Sequence, residues 1–175
     1  MAFWRFSLVA VLAGLLLGAS VSTGYTAKDA ALTTSGLPVP RYVSLKSDHV
    51  NVRAGPTKDN DVAWVYTRAG LPVEITAEFE NWRRVRDSEG SEGWVYHSML
   101  SGRRTALVKA KEKDALIPLQ AKPDASSEVV ARLQTGVLGT VKSCTGTWCR
   151  IFGNGFDGWV AQDRLWGVYP NEKIE

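Results

Sequence analysis

Histidine, cysteine, methionine and net charge are all scarce in this chain of 175 residues, and so are long apolar runs. Two His and two Cys, scattered along the sequence, offer no metal-ligand spacing and no positioned base for a nucleophile. Charged residues make up 22% with a net +3, too mild for a disordered polyelectrolyte or a nucleic-acid wrapper. The balance also holds locally. Val43 to Arg104 carries nine Lys/Arg against nine Asp/Glu, and Thr105 to the end carries nine against eight. Neither half has a net basic face, so nucleic acid is not an expected partner. No stretch sustains a 3.6-residue apolar stripe, which excludes a helical bundle. What is present in quantity is seven Trp, 16 Gly and seven Pro, a composition that favours a turn-rich all-β protein.

The first residues read as an address. Arg5 precedes an apolar run from Leu8 to Ala19, and small polar residues follow, which is the grammar of a secretory signal peptide over 1–26. The run is shorter than the roughly 20 residues a membrane-spanning helix needs. An uncleaved anchor, with Trp4 and Phe6 beside it, is the alternative; after cleavage no span is expected. Either way the expected location is periplasmic or secreted. Residues 27–42, with Pro38 and Pro40, read as a flexible or extended lead-in, since two such prolines do not fit a central strand.

The sequence then repeats itself. Laid on one another, the segments starting at Val50 and Ile117 match Pro56 with Pro123, Gly70 with Gly136 and Trp82 with Trp148. Val85 falls on Ile151, Gly93-Trp94-Val95 on Gly158-Trp159-Val160, and Leu100 on Leu165. Only two single-residue deletions are needed, both in turn-like stretches. Each unit reads as short strands, in the first at Val50 to Val52, Val62 to Tyr66, Leu71 to Ala77, Trp82 to Arg86 and Gly93 to Tyr96. Strands this short must close on themselves to bury enough surface, which predicts two small barrels, over 43–104 and 105–170.

The order Val50-Asn51-Val52-Arg53-Ala54-Gly55-Pro56, then Trp82-x-x-Val85, then Gly93-Trp94-Val95 resembles the bacterial Src-homology-3-like domain. The second unit departs at Pro118-Leu119-Gln120-Ala121-Lys122-Pro123 but keeps Trp148-Cys149-x-Ile151 and Gly158-Trp159-Val160. The resemblance implies two tandem five-stranded barrels acting as a non-catalytic attachment module, without a cofactor. In eukaryotic relatives of this fold the matching Trp lines a proline-peptide groove. The Pro and Tyr expected beside it are replaced here by Tyr96 and Met99, and by Ala161 and Arg164, so proline-rich peptides are not implied.

Cys144 and Cys149 flank a hairpin-like stretch containing Gly146. In an exported protein a clamping disulfide is the default. A redox pair asks for two intervening residues at a helix start, and a catalytic thiol asks for a nearby His; the second unit offers neither.

Candidate ligand contacts follow from strand phase. If Val85 and Ile151 point inward, Trp82, Trp148, Arg84 and Arg150 point outward and Cys149 inward. Outward aromatics beside cations make a binding surface for a peptide or sugar; the alternative is that both Trp pack in the seam between units or over a loop. Trp64, Tyr66 and Tyr96 join them as candidates, whereas Trp94 and Trp159 read as scaffold. Arg83, Arg84 and Arg86, with Arg103 and Arg104, form a dense cationic cluster that Asp87, Glu89 and Glu92 lie close enough to neutralise. The functional expectation is recognition of peptidoglycan or its stem peptide, or else an adaptor role on another envelope protein.

Overall fold

The computed structural model describes residues 34–110 and 115–175. The leader reading over 1–26, and the lead-in as far as residue 33, lie outside them. The described residues form strands and short turns of 3-10 helix, in two sheets. The first holds β1 (Arg41–Leu45), β2 (Val50–Arg53), β3 (Val62–Tyr66), β4 (Pro72–Phe79), β5 (Trp82–Arg86), β6 (Glu92–Tyr96) and β7 (Leu100–Ser101). The second holds β8 (Thr105–Val108), β9 (Ile117–Gln120), β10 (Val129–Leu133), β11 (Leu138–Thr145), β12 (Trp148–Gly153), β13 (Phe156–Ala161), β14 (Leu165–Trp166) and β15 (Lys173–Ile174).

The strand orders are β3-β2-β6-β5-β4-β1-β7 and β10-β9-β13-β12-β11-β8-β14, which are the same order under the repeat. The equivalence reaches single hydrogen bonds. Gly70 N–H donates to Leu45 O at 2.8 Å, and Gly136 N–H to Val108 O at 2.8 Å. His97 N–H donates to Asn81 O at 2.9 Å, and Gln162 N–H to Thr147 O at 2.8 Å. Each unit has its own core. Leu45, Val50, Val52, Val73, Ile75, Val85 and Val95 fill the first. Leu119, Val141, Ile151, Val160 and Leu165 are among those filling the second, which also holds both cysteines.

The Gly that opens each Gly-Trp-Val triplet is fixed by close approach. A Cβ on Gly93 would stand 2.4 Å from Val52 Cγ1, and one on Gly158 would stand 2.8 Å from Leu119 Cγ and 2.9 Å from Gln120 O. These positions are where β6 meets β2 and β13 meets β9, and only a residue without a side chain lets the strands approach so closely.

Cys144 and Cys149 are directly opposed in the β11–β12 hairpin and are joined by a disulfide. The bond clamps a six-residue loop, for which chain entropy gives about 2 kcal/mol. Cys144→Ser with Cys149→Ser should therefore lower the unfolding free energy by that much and bring the urea midpoint down with it; an unchanged midpoint would show that the hairpin holds itself.

Two segments differ from the sequence expectation. Arg41 and Tyr42, read as lead-in, belong to β1, and Ser35 hydroxyl donates to Glu78 at 2.8 Å. β1 is covered on both faces: Leu45 enters the first core while Tyr42 packs on Trp166 and Tyr169, at ring distances of 5.3 and 4.7 Å. Its counterpart β8 is buried at all four positions, with Ala106 and Val108 in the second core and Thr105 Oγ1 donating to Gly70 O at 2.7 Å. Strands buried on both faces show no polar–apolar alternation. The chain after Trp166 straps the seam. Trp166 indole N–H donates to Pro72 O at 3.3 Å, Tyr169 hydroxyl to Glu74 at 2.9 Å, and Arg104 binds Glu172 through two nitrogens at 2.7 and 3.0 Å. Burial pushes the Glu172 carboxyl up, but the Arg104 bonds and the Tyr169 N–H outweigh it and hold it below its usual range. Burial, with Glu74 nearby, pushes the Tyr42 hydroxyl up to about 12.

Candidate functional site

Trp82 and Trp148 begin β5 and β12, and both lie outside the core clusters, on the face opposite Val85 and Ile151. Their surroundings differ. Trp82 sits opposite Tyr96 across β5–β6, their rings edge to face at 5.4 Å, and is only 8% exposed. The expected outward direction is therefore present without the expected exposure, because Tyr96 covers the ring. Trp148 sits opposite Ala161, which is too small to cover it, and stays half-buried.

Each Trp floors a groove at the same place in its barrel. The first groove, about 290 Å³, combines Trp82, Tyr96 and Met99 with His49, Asn51, Arg53 and Lys58. The second, about 380 Å³, combines Trp148, Ala161 and Arg164 with Leu116, Ile117 and Pro118. The Gly-x-Val comparison had already singled out Tyr96, Met99, Ala161 and Arg164. The wall from β2 and β9 was not foreseen. It joins the Trp only through strand pairing, as where Arg53 meets Trp94 and Trp159 meets Gln120.

The other candidates lie elsewhere. Trp64 and Tyr66 contact each other at 6.1 Å and pack against the first core, away from Trp82. Tyr66 hydroxyl donates to Asp87 at 3.2 Å; burial first, then that carboxylate, push its pKa up. Arg84 is paired with Glu92 at 2.6 Å and Arg150 with Asp157 at 2.7 Å; that hydrogen bond raises Arg150 and lowers Asp157. Arg83 turns inward, 8% exposed, onto Glu78 at 3.1 Å, and Arg86 pairs with Glu74. The cationic run of β5 is thus neutralised, chiefly by Glu74, Glu78 and Glu92 rather than by Asp87 and Glu89. Among the described residues no three His, Cys, Asp or Glu are grouped to hold a metal, and no helix is long and apolar enough to cross a membrane.

A family model described as the bacterial SH3 domain matches residues 46–102 and, a second time, 113–167. The chain belongs to the bacterial SH3 domain family. Each of the two tandem matches falls on one of the two sheets, with β1, β8 and β15 outside the matched ranges, and the two grooves lie at equivalent places within them. Similar solved structures include NlpC2 from Trichomonas vaginalis, 15% identical, with 73% of this chain and 48% of that chain covered and a TM-score of 0.31. NlpC1 from the same organism is 17% identical, with 77% and 48% covered and a TM-score of 0.30. This chain spans about half the length of those structures. No curated protein matches the chain.

Proposed function

We propose that this bacterial SH3 chain is an exported, non-catalytic binding module that holds cell-envelope material, peptidoglycan or its stem peptide, in the two Trp-floored grooves. The observation that carries the reading is the recurrence of a concave aromatic site at one position in both barrels, although the side chains around it differ. A barrel needs no such hollow to fold, and ligand sites are typically concave, largely apolar and edged by a few polar groups. The signal-like N-terminus and the disulfide support a compartment outside the cytoplasm.

The test is co-sedimentation of the purified protein with peptidoglycan sacculi. Met99 and Leu116, 38% and 48% exposed on the groove rims, can be changed with little effect on folding. The protein should pellet, and Met99→Glu with Leu116→Glu should lower its affinity by about tenfold, the loss of roughly 1.4 kcal/mol of contact. Pelleting that the variant keeps in full would move the site off the grooves. Absence of pelleting would remove the envelope polymer and leave another exported protein as the ligand.

A further inference from the structure

The first groove carries a charge pattern that its copy lacks. Arg53 and Lys58 line it together with His49, and among the described residues none of the three has a carboxylate within ion-pair distance. That sets them apart from the arginines of the adjacent β5, where Arg83, Arg84 and Arg86 are each held by a glutamate. The cation of the second groove, Arg164, has Asp163 beside it at 3.6 Å.

The repeat acts as an internal control. At the positions of His49, Arg53 and Lys58 the second barrel has Leu116, Gln120 and Ala125. It builds the same sheet order around the same Trp, so the cations are not required by the fold. A solvated charge placed at random is unremarkable, but these converge on one hollow with an aromatic floor.

Resting on the reading of this groove as a ligand site, we propose that it takes the free carboxylate end of a peptide, and that the second groove does not. Arg53 Nη1 donates to Asn60 O at 2.6 Å, which steadies the guanidinium while engaging one of its five N–H donors. The rest of the planar fork matches a carboxylate in a paired, charge-assisted contact, and Lys58 adds a second positive charge. Met99 and the exposed edge of the Trp82–Tyr96 pair supply an apolar wall for the side chain next to that carboxylate. This is a peptide terminus rather than a bare anion, because a bare anion would leave the wall unused.

The experiment titrates the protein, followed by NMR, with acetyl-alanyl-alanyl-alanine as its free acid, as its C-terminal amide, and with inorganic phosphate. The variant is Arg53→Gln with Lys58→Ala, which gives the first groove the residues that the second barrel already folds with. The acid should bind about tenfold more tightly than the amide and perturb first-barrel resonances; raised salt should shrink the difference, and the variant should abolish it. Equal affinity for acid and amide, discrimination that survives in the variant, or phosphate binding as tight as the acid would each overturn the assignment. Pelleting with sacculi, measured on the same samples, separates the two claims. Pelleting without acid–amide discrimination overturns the carboxylate and leaves the envelope reading standing. Discrimination without pelleting supports the carboxylate and removes the envelope reading.

Discussion

Gly167→Ala should destabilise the protein by about 3 kcal/mol, more than any other single added methyl in the seam. Two penalties coincide there. The residue has φ +115°, a conformation costing a side-chain-bearing residue roughly 1–2 kcal/mol. Its new Cβ would also stand 2.3 Å from Thr105 O and 3.0 Å from Pro72 Cβ. The first is backbone of β8, held in register by Thr105 opposite Thr140, so it cannot move aside without disturbing the sheet. Overpacking of that kind costs about 1–3 kcal/mol by itself. The residues that follow are the seam strap, in which Val168 enters the second core, Tyr169 reaches Glu74 and Glu172 binds Arg104. Displacing their start should loosen the contact between barrels. Gly155→Ala is the control, because it shares a positive φ, +81°, with nothing within 4 Å of the added carbon. Urea denaturation of both variants should show the larger loss at Gly167; equal losses would mean that strain alone matters and that the seam gives way freely.

The legible part of this molecule was whatever a short local run records, β-forming residues bounded by turn residues. Val62 to Tyr66 and Trp82 to Arg86 were located from the sequence with the bounds the strands have. The repeat supplied the second sheet, and two cysteines five positions apart supplied the hairpin clamp. The illegible part was whatever depends on the other barrel. β1 lacks alternation because Tyr42 is buried by Trp166 and Tyr169, more than 120 positions away. The strap after Trp166 has no repeat partner, and its place in the seam comes from Tyr169 reaching Glu74 and Glu172 binding Arg104. The groove was half legible. Its Trp and the residues after Gly-x-Val sit close together in sequence, whereas Arg53 and Lys58 arrive from β2 and the loop after it, through pairing that no local pattern records. Strand phase gave the correct face for Trp82 but not its exposure, which is decided by the size of the residue opposite.

That size difference separates the two tryptophans in a measurable way. Trp82→Ala should cost about 3–5 kcal/mol, the range for removing a large buried aromatic, because the residue is 8% exposed and its loss also strips Tyr96 of its edge-to-face partner. Trp148→Ala should cost about 1–2 kcal/mol, since only part of that ring is removed from water and Ala161 opposite offers little to lose. Denaturant midpoints of the two variants decide it, and equal costs would mean that the cover from Tyr96 contributes nothing. The asymmetry governs how binding data are to be read. A loss of binding in Trp82→Ala reports folding as much as contact, and Trp82→Phe, which keeps a ring against Tyr96, is the informative substitution there. Trp148→Ala removes the floor of the second groove while leaving the second core, with its disulfide, in place. If both grooves bind, Trp148→Ala should weaken attachment at unchanged stability of the first barrel. If only the cationic first groove binds, it should leave attachment untouched, and the second barrel would then serve the first through the seam alone.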